Sequence, residues 1–383
     1  MDTTLRLLYL VSHPIQYQAP LLRLIAGQPD IELLVLFEHF DTATTYHDSG
    51  FGHDISWDVP LTDGYDHQAI ESACHLQALL AKADALWVHG WDSPLKRKAI
   101  RYAKKIGVPV LMRGENTDAA MPDGWGPRGI AKRLYLSRIF ANCSGFLCIG
   151  SDNQSYYEKR GVGAGRLFQM PYTVDNDFFK TRIEAASKDR AAFRKSLGIP
   201  ENSPVILYAG KLQARKHPLT LLKAFQKLDA EKTGNPYLLY VGDGEQRDQL
   251  TSAVKTAGDH VQILGFKNQT ELPAFYDLAD IFVLASEKEP WGLSINEAMI
   301  GGCVPIVTSE CGSTRDLIDE TRGRVVRPGD ADQLADALCD LLRDRARLRA
   351  MGLSAQNRLS SWGLQESVDG LRHALTKLKF LSA

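Results

Sequence analysis

Two α/β domains, each a doubly wound parallel sheet, are what the sequence predicts. Short, near-continuously apolar runs recur at 5–11, 31–37, 85–89, 108–113 and 145–150, and again at 205–210, 237–242, 261–265, 281–285, 304–308 and 324–326. Runs of that kind read as strands buried on both faces, and the helical stretches between them give the alternation from which parallel sheets are built. The chain has 383 residues, enough for two domains of ordinary size with separate cores.

In the first half, the opening run breaks at Ser12-His13-Pro14, and an amphipathic helix follows over about 18–26. A polar, aromatic insertion at 40–68, with His47, Gly50, Gly52, His53, Trp57, Gly64 and Tyr65, then interrupts the rhythm. It follows the carboxyl end of the second strand, where such sheets place ligands. His13, His89 and Arg113 each stand just past an apolar run. In that position they either cap a turn or face a ligand.

Charge is laid out unevenly. Residues 1–93 carry 3 Lys/Arg against 13 Asp/Glu, whereas 94–140 carry 11 against 3. The basic stretch reads as two helices, 94–106 and 128–140, and in the second Ile130, Leu134, Ile139 and Phe140 provide an apolar face. Two readings follow: a solvated outer face whose apolar side packs on the sheet, or a basic amphipathic surface lying on anionic lipid.

Composition removes several classes. The formal net charge of -1 argues against a nucleic-acid binder working by bulk electrostatics. No apolar run approaches the roughly 20 residues needed to span a bilayer, and the first strand begins almost at once, which predicts a cytoplasmic protein without a signal peptide. The 6 Cys form no CxxC pair and sit mostly in apolar segments, so reduced core thiols are expected rather than a zinc site.

A charged segment at 180–195 sets the domain boundary near 175–200. Beyond it, Gly210-Lys211-Leu212-Gln213-Ala214-Arg215-Lys216-His217-Pro218 places cations in a loop between a buried strand and a helix. Gly242-Asp243-Gly244 lacks the third glycine of a dinucleotide fingerprint, because Arg247 stands there, and NAD binding is rejected. Gly265-Phe266-Lys267 follows the next strand. The densest signal is 285–302, where a strand runs through a polar loop containing Glu289 and opens at Gly292 into a helix carrying Glu297. At 1.5 Å per residue, Glu297 lies roughly 7 Å along that helix from Gly292. Free N–H groups and the positive dipole end at Gly292, Leu293 and Ser294 suit an anion. With a carboxylate on either side to accept hydroxyl hydrogen bonds, the ligand that fits is a diphosphate carrying a polyol at each end.

Glu-Pro-Trp-Gly-Leu-Ser-x-x-Glu-Ala-Met, followed by Gly301, Gly302 and the strand Val304-Pro305-Ile306-Val307, resembles the donor-site signature of glycosyltransferase family 4. The resemblance implies a GT-B architecture, two Rossmann-like domains facing across a cleft: an acceptor domain at 1–175, joined by a returning helix at about 362–383, and a donor domain at 176–361. It implies a retaining, metal-independent transfer from a nucleoside diphosphate sugar to a hydroxyl acceptor, a glycan or lipid-linked glycan, with no cofactor. By the same resemblance Glu289 holds the sugar hydroxyls, Glu297 the ribose, and Lys211 and Lys216 the diphosphate. Arg215 stands in that basic loop, and Gly265 and Phe266 stand at the base, where Phe266 either stacks or simply packs. His89 matches a histidine that meets the donor sugar. The usual glycine-rich turn after the first strand is replaced here, leaving His13 and Gln16 as side-chain substitutes. Together with Arg113 and the 40–68 insertion they form the acceptor side. Lipid-linked acceptors in the family keep peripheral membrane contact through 94–140 open. A nucleotide-sugar isomerase or epimerase on the same scaffold is the rival reading.

Overall fold

The computed structural model describes residues 4–40, 46–48, 50–255 and 258–379. Its contacts divide the chain into two units, one formed by Met1–Tyr46, Val59–Thr173 and Gly363–Ala383, the other by His47–Asp58 and Val174–Trp362. Residues 41–45, 49 and 380–383, which belong to the predicted insertion and returning segment, lie outside the described residues.

The first unit is built on a seven-stranded sheet in the order Asp66–Ala69, Ile31–Phe37, Leu5–Val11, Ala85–His89, Val110–Arg113, Gly145–Cys148, Leu167–Gln169. Every neighbouring pair is parallel. Alternation along the first strand sends Leu5, Leu7, Tyr9 and Val11 to one core and Leu8 and Leu10 to the other. Helices Ala19–Ala26 and Leu364–Lys377 cover the first of these faces, while Ala73–Leu80, Pro94–Lys105 and Pro127–Phe140 cover the second. The order of strands reverses between Leu5–Val11 and Ala85–His89, so the loops leaving these two strands flank the switch point at which open α/β sheets bind ligands.

Leu364–Lys377 is held to the first unit by more than apolar contact. Arg372 forks onto Asp30 at 2.6 and 2.9 Å, and the Ser367 hydroxyl donates to the Pro171 carbonyl at 2.6 Å. The helix approaches so closely that a Cβ on Gly370 would stand 1.9 Å from the Gln169 carbonyl oxygen, which only glycine allows.

The second unit has a six-stranded parallel sheet in the order Val261–Ile263, Tyr237–Val241, Val205–Ala209, Ile281–Leu284, Val304–Thr308, Arg324–Val326. The four central strands are buried at every position, as their unbroken apolar sequences require. Here the order reverses between Val205–Ala209 and Ile281–Leu284, directly before the basic loop and the Glu289 loop.

The charged stretch at 180–195 is largely helical: Asp175 caps a helix, Asn176–Ser187, by accepting from the Phe178 N–H at 2.9 Å, and Phe179 and Ile183 bury its inner face. The insertion at 40–68 is divided, with 59–68 remaining in the first unit. His47–Asp58 packs with the second unit, because Asn268 and Thr270 grip the Ser56 and Asp58 end and Lys211 grips Asp48.

Candidate active site

Within the second unit, the polar side chains converge where the two central strands end. Val205–Ala209 runs into Gly210, and Tyr208 locks the next turn by donating its hydroxyl to the Lys211 carbonyl at 2.6 Å. A short 3-10 turn, Ala214–Lys216, then carries Arg215 and Lys216 toward the loop that follows Ile281–Leu284. There the Lys216 ammonium donates to Glu289, and the Arg215 guanidinium lies 3.6 Å from the same carboxylate oxygen. Glu289 is 8% exposed, and its backbone is fixed on both sides, its N–H to the Glu310 carbonyl at 3.2 Å and its carbonyl to the Gly312 N–H at 3.0 Å. A carboxylate so buried and so paired is held in one place, as an acid that must meet specific hydroxyls has to be.

The backbone beside both partners is strained. His217, next to Lys216, has φ 53°, and Lys288, next to Glu289, has φ 52°. Left-handed conformations at residues other than glycine cluster at functional sites, where surrounding structure imposes them.

Glu289 leads through Trp291 to the helix Leu293–Ile300. Its cap is Gly292 at φ 87°, where a Cβ would lie 2.6 Å from Leu284 Cδ2 and 3.1 Å from Cys311 Sγ. No side chain caps this helix, so the N–H groups of Leu293 and Ser294 have no intrahelical acceptor. Trp291 anchors the entry, donating Nε1–H to Asn296 Oδ1 at 3.0 Å and stacking on Trp362. Burial pushes the Cys311 thiol up to about 12, with Glu289 adding to the effect, which favours the protonated form that donates to the Trp291 carbonyl at 2.8 Å.

Glu297 departs from the expected geometry. Its carboxylate is 1% exposed and accepts the buried Tyr276 hydroxyl at 2.6 Å, so it faces the neighbouring helix Leu272–Leu278 rather than open space. In this state it ties two helices together.

The remaining donor-side residues lie along the carboxyl edge of the same sheet, and the segment 47–58 crosses them. Asp48 takes both hydrogen bonds of the Lys211 ammonium, at 2.7 and 2.9 Å, and the ammonium also sits 4.9 Å from the Phe51 ring centroid. Burial pushes the Asp48 carboxyl up, but the Lys211 contact outweighs it and holds it below the usual range. Gly265 turns the chain at φ 72°, and Phe266 beyond it is packed by Phe51, His53 and Trp57 at centroid distances of 5.0, 5.4 and 6.2 Å. Phe266 is therefore a packing partner of these rings. Nothing in the sequence flags Asp48 as a partner of Lys211, since 163 positions separate them.

The first unit carries a separate polar cluster at its own switch point. His89 Nδ1 lies 3.1 Å from the Tyr9 hydroxyl and 3.2 Å from Gln18 Nε2, while its Nε2 lies 3.4 Å from Glu115. Tyr9 donates to Gln18 Oε1 at 2.7 Å, which turns the amide nitrogen of Gln18 toward the ring. Nδ1 is thus the acceptor and Nε2–H the donor to Glu115. Burial raises the Glu115 carboxyl, yet hydrogen bonds from His89 and Tyr172 and the Arg113 charge hold it below the usual range. Arg113 is 1% exposed, its guanidinium over the Tyr172 ring, and burial lowers its pKa. His13 is half-buried, its Nδ1 2.9 Å from the Ser12 hydroxyl, with burial lowering its pKa. Gln16 shares that loop, but it is Gln18, two positions on, that reaches His89. Tyr9, Gln18, Glu115 and Tyr172 were not legible as site residues, although Arg113-Gly114-Glu115-Asn116 ends an apolar strand just as Val88-His89 does.

Residues 189–358, all in the second unit, match the family model Glycosyl transferases group 1. The chain is 28% identical over 329 residues to glycogen synthase of Mycobacterium tuberculosis, a span of 82% of this chain and 74% of that protein. It is 29% identical over 312 residues, 70% of this chain and 81% of the relative, to a GDP-mannose-dependent monoacylated alpha-(1-6)-phosphatidylinositol monomannoside mannosyltransferase of Corynebacterium glutamicum. The crystal structure of Anabaena HepE in complex with UDP and glucose superposes with a TM-score of 0.70 at 15% identity, covering 97% of this chain and 99% of that one. These matches support a glycosyltransferase with the GT-B fold.

Proposed function

We propose that the protein is a retaining glycosyltransferase of family 4 that moves a sugar from a nucleoside diphosphate sugar to a hydroxyl acceptor in polysaccharide, lipopolysaccharide or glycolipid assembly. One observation carries the reading: Lys216, Arg215 and Glu289 meet beside the uncapped start of Leu293–Ile300, at the switch point of the second sheet. Cations and free amides gathered beside a fixed carboxylate form a place for an anion joined to a polyol.

The chemistry follows from these groups. Glu289 accepts the sugar hydroxyls, and the N–H groups of Leu293 and Ser294 receive the diphosphate. Lys211 and Lys216 oppose the charge that builds on the departing diphosphate, a stabilisation that acts as the bond breaks. In front-face retaining transfer the leaving phosphate takes the acceptor's proton, so no protein base is assigned. The solved neighbour that holds UDP and glucose supports the donor class. In the first unit, His89, braced by Glu115 and Gln18, and the adjoining Arg113 and His13 are proposed to receive polar groups of the substrates.

Thermal denaturation with UDP-, GDP- and ADP-sugars tests the donor, since a ligand bound only by the folded state raises the midpoint. One nucleotide class should shift it, and NMR of donor with acceptor should show the anomeric configuration retained. No shift with any of them sinks the proposal, and conversion of donor without acceptor assigns an isomerase.

Asp48 makes a second expectation specific. Its carboxylate holds the ammonium that the diphosphate requires, so Asp48→Asn should tighten UDP or GDP binding roughly fivefold, on the order of 1 kcal/mol. Calorimetry decides, and weaker binding in the variant would show instead that Asp48 orients Lys211 for the ligand.

A further inference from the structure

The polar cluster at the switch point of the first sheet leaves one atom open. His89 has both ring nitrogens engaged, Nδ1 by Gln18 and Nε2 by Glu115. Glu115 uses a single oxygen for its partners: Oε1 accepts the Tyr172 hydroxyl at 2.7 Å and faces His89 at 3.4 Å. Its other oxygen, Oε2, accepts no hydrogen bond among the described residues, and it is open to solvent on a side chain 34% exposed.

The backbone holds this carboxylate still. Buried Asn153 donates from its amide to the carbonyls on either side, Gly114 at 3.0 Å and Asn116 at 2.7 Å, while its Oδ1 accepts the Ile149 N–H at 3.1 Å. Strand Val110–Arg113 ends just before, so position 115 stands at the carboxyl edge of the sheet, where ligands bind. A carboxylate needed only to orient His89 gains nothing from an open oxygen. This one is gripped at Oε1 and along its backbone and presented at Oε2, and Glu289 is pinned through its backbone in the same manner.

What Oε2 can take follows from charge. Burial works against ionisation, but the hydrogen bonds from His89 and Tyr172 and the Arg113 charge outweigh it, so at neutral pH Glu115 is an acceptor only. The neighbouring cations do not reverse that sign. Arg113 is buried, Lys96 is buried with its ammonium on Asp92 at 2.9 Å, and burial, helped by the Lys96 charge, lowers the His13 pKa. A hydroxyl donor therefore suits Oε2, whereas a phosphate or carboxylate placed there would meet like charge.

We infer that Glu115 Oε2 binds a hydroxyl of the acceptor, and that the acceptor end seated here is an uncharged sugar or polyol rather than a phosphorylated or carboxylated one. The inference rests on the glycosyl-transfer reading above, in which Glu289 already receives the hydroxyls of the donor sugar. It turns Glu115 from a brace into a substrate contact.

Saturation-transfer NMR of the full chain reads that contact, with glucose, mannose, galactose and myo-inositol each set beside its monophosphate. The spectra are taken with and without the nucleotide found by thermal denaturation. At least one neutral compound should bind roughly tenfold more tightly than its monophosphate, and Glu115→Gln should weaken it about tenfold while narrowing that preference. The amide keeps the shape of the side chain, so nucleotide affinity should stay within a few-fold of the parent protein. Should the variant be unstable, the preference measured in the parent protein decides alone. Monophosphates bound as well as the neutral compounds overturn the inference, as does neutral binding unchanged in Glu115→Gln or absent altogether. Lost affinity for the nucleotide sugar with acceptor binding intact would assign Oε2 to the donor sugar, and so overturn it too. Failure of the donor reading is distinct, because there no nucleotide sugar shifts the midpoint of the parent protein.

Discussion

Glu289→Gln is expected to lower kcat by about 10²–10³ while nucleotide affinity stays within a few-fold of the parent protein. The substitution keeps the shape of the side chain, and the backbone on both sides of position 289 is tied to Glu310 and Gly312, so the loop should hold. What is lost is the charge that accepts the sugar hydroxyls and balances Lys216 and Arg215. Steady-state turnover of the donor found in the thermal screen, with calorimetry of UDP or GDP alongside, separates the two quantities. Unchanged turnover would remove Glu289 from the mechanism, and equal loss of nucleotide affinity would make its role structural.

Lys216→Met should do comparable damage by another route. Its side chain is mostly buried against Glu289, and removing it leaves a nearly enclosed carboxylate whose remaining cation, Arg215, is half-exposed and 3.6 Å away. Breaking a buried pair from one side costs about 3 kcal/mol of stability, so denaturant unfolding should show a loss of that order. Diphosphate affinity and kcat should fall together, turnover by about 10² or more. The double variant Lys216→Met with Glu289→Gln should unfold more readily than the parent but less readily than the two single losses added, because the uncompensated carboxylate is then gone. Strict additivity would show that the two side chains do not act as a pair.

The strands could be read from the sequence because burial on both faces leaves almost no polar interruption: Val-Ile-Leu-Tyr-Ala and Tyr-Leu-Leu-Tyr-Val admit few other states. The cationic loop and Glu289 could be read because each lies within a few residues of such a strand. What could not be read depends on partners distant in the chain. Asp48 on Lys211, Tyr276 on Glu297 and Gln18 on His89 are pairings that local pattern does not encode. The helix Asn176–Ser187 buries only Phe179 and Ile183 within a charged run, too few for an apolar face to declare itself. In Pro127–Phe140 the apolar residues were visible but their direction was not. Spacing of three and four predicts a helix without saying which of its sides meets the sheet.

The packing of Leu364–Lys377 also governs how the molecule can be made. Leu21, Leu22 and Ile25 share one core with Val368, Leu371, Ala374 and Leu375, so the first unit stays open on one side until Leu364–Lys377 has followed the whole of the second unit off the ribosome. A nascent chain stalled anywhere earlier would carry that bare apolar face, a ready target for chaperones, and the second unit can be finished before the first.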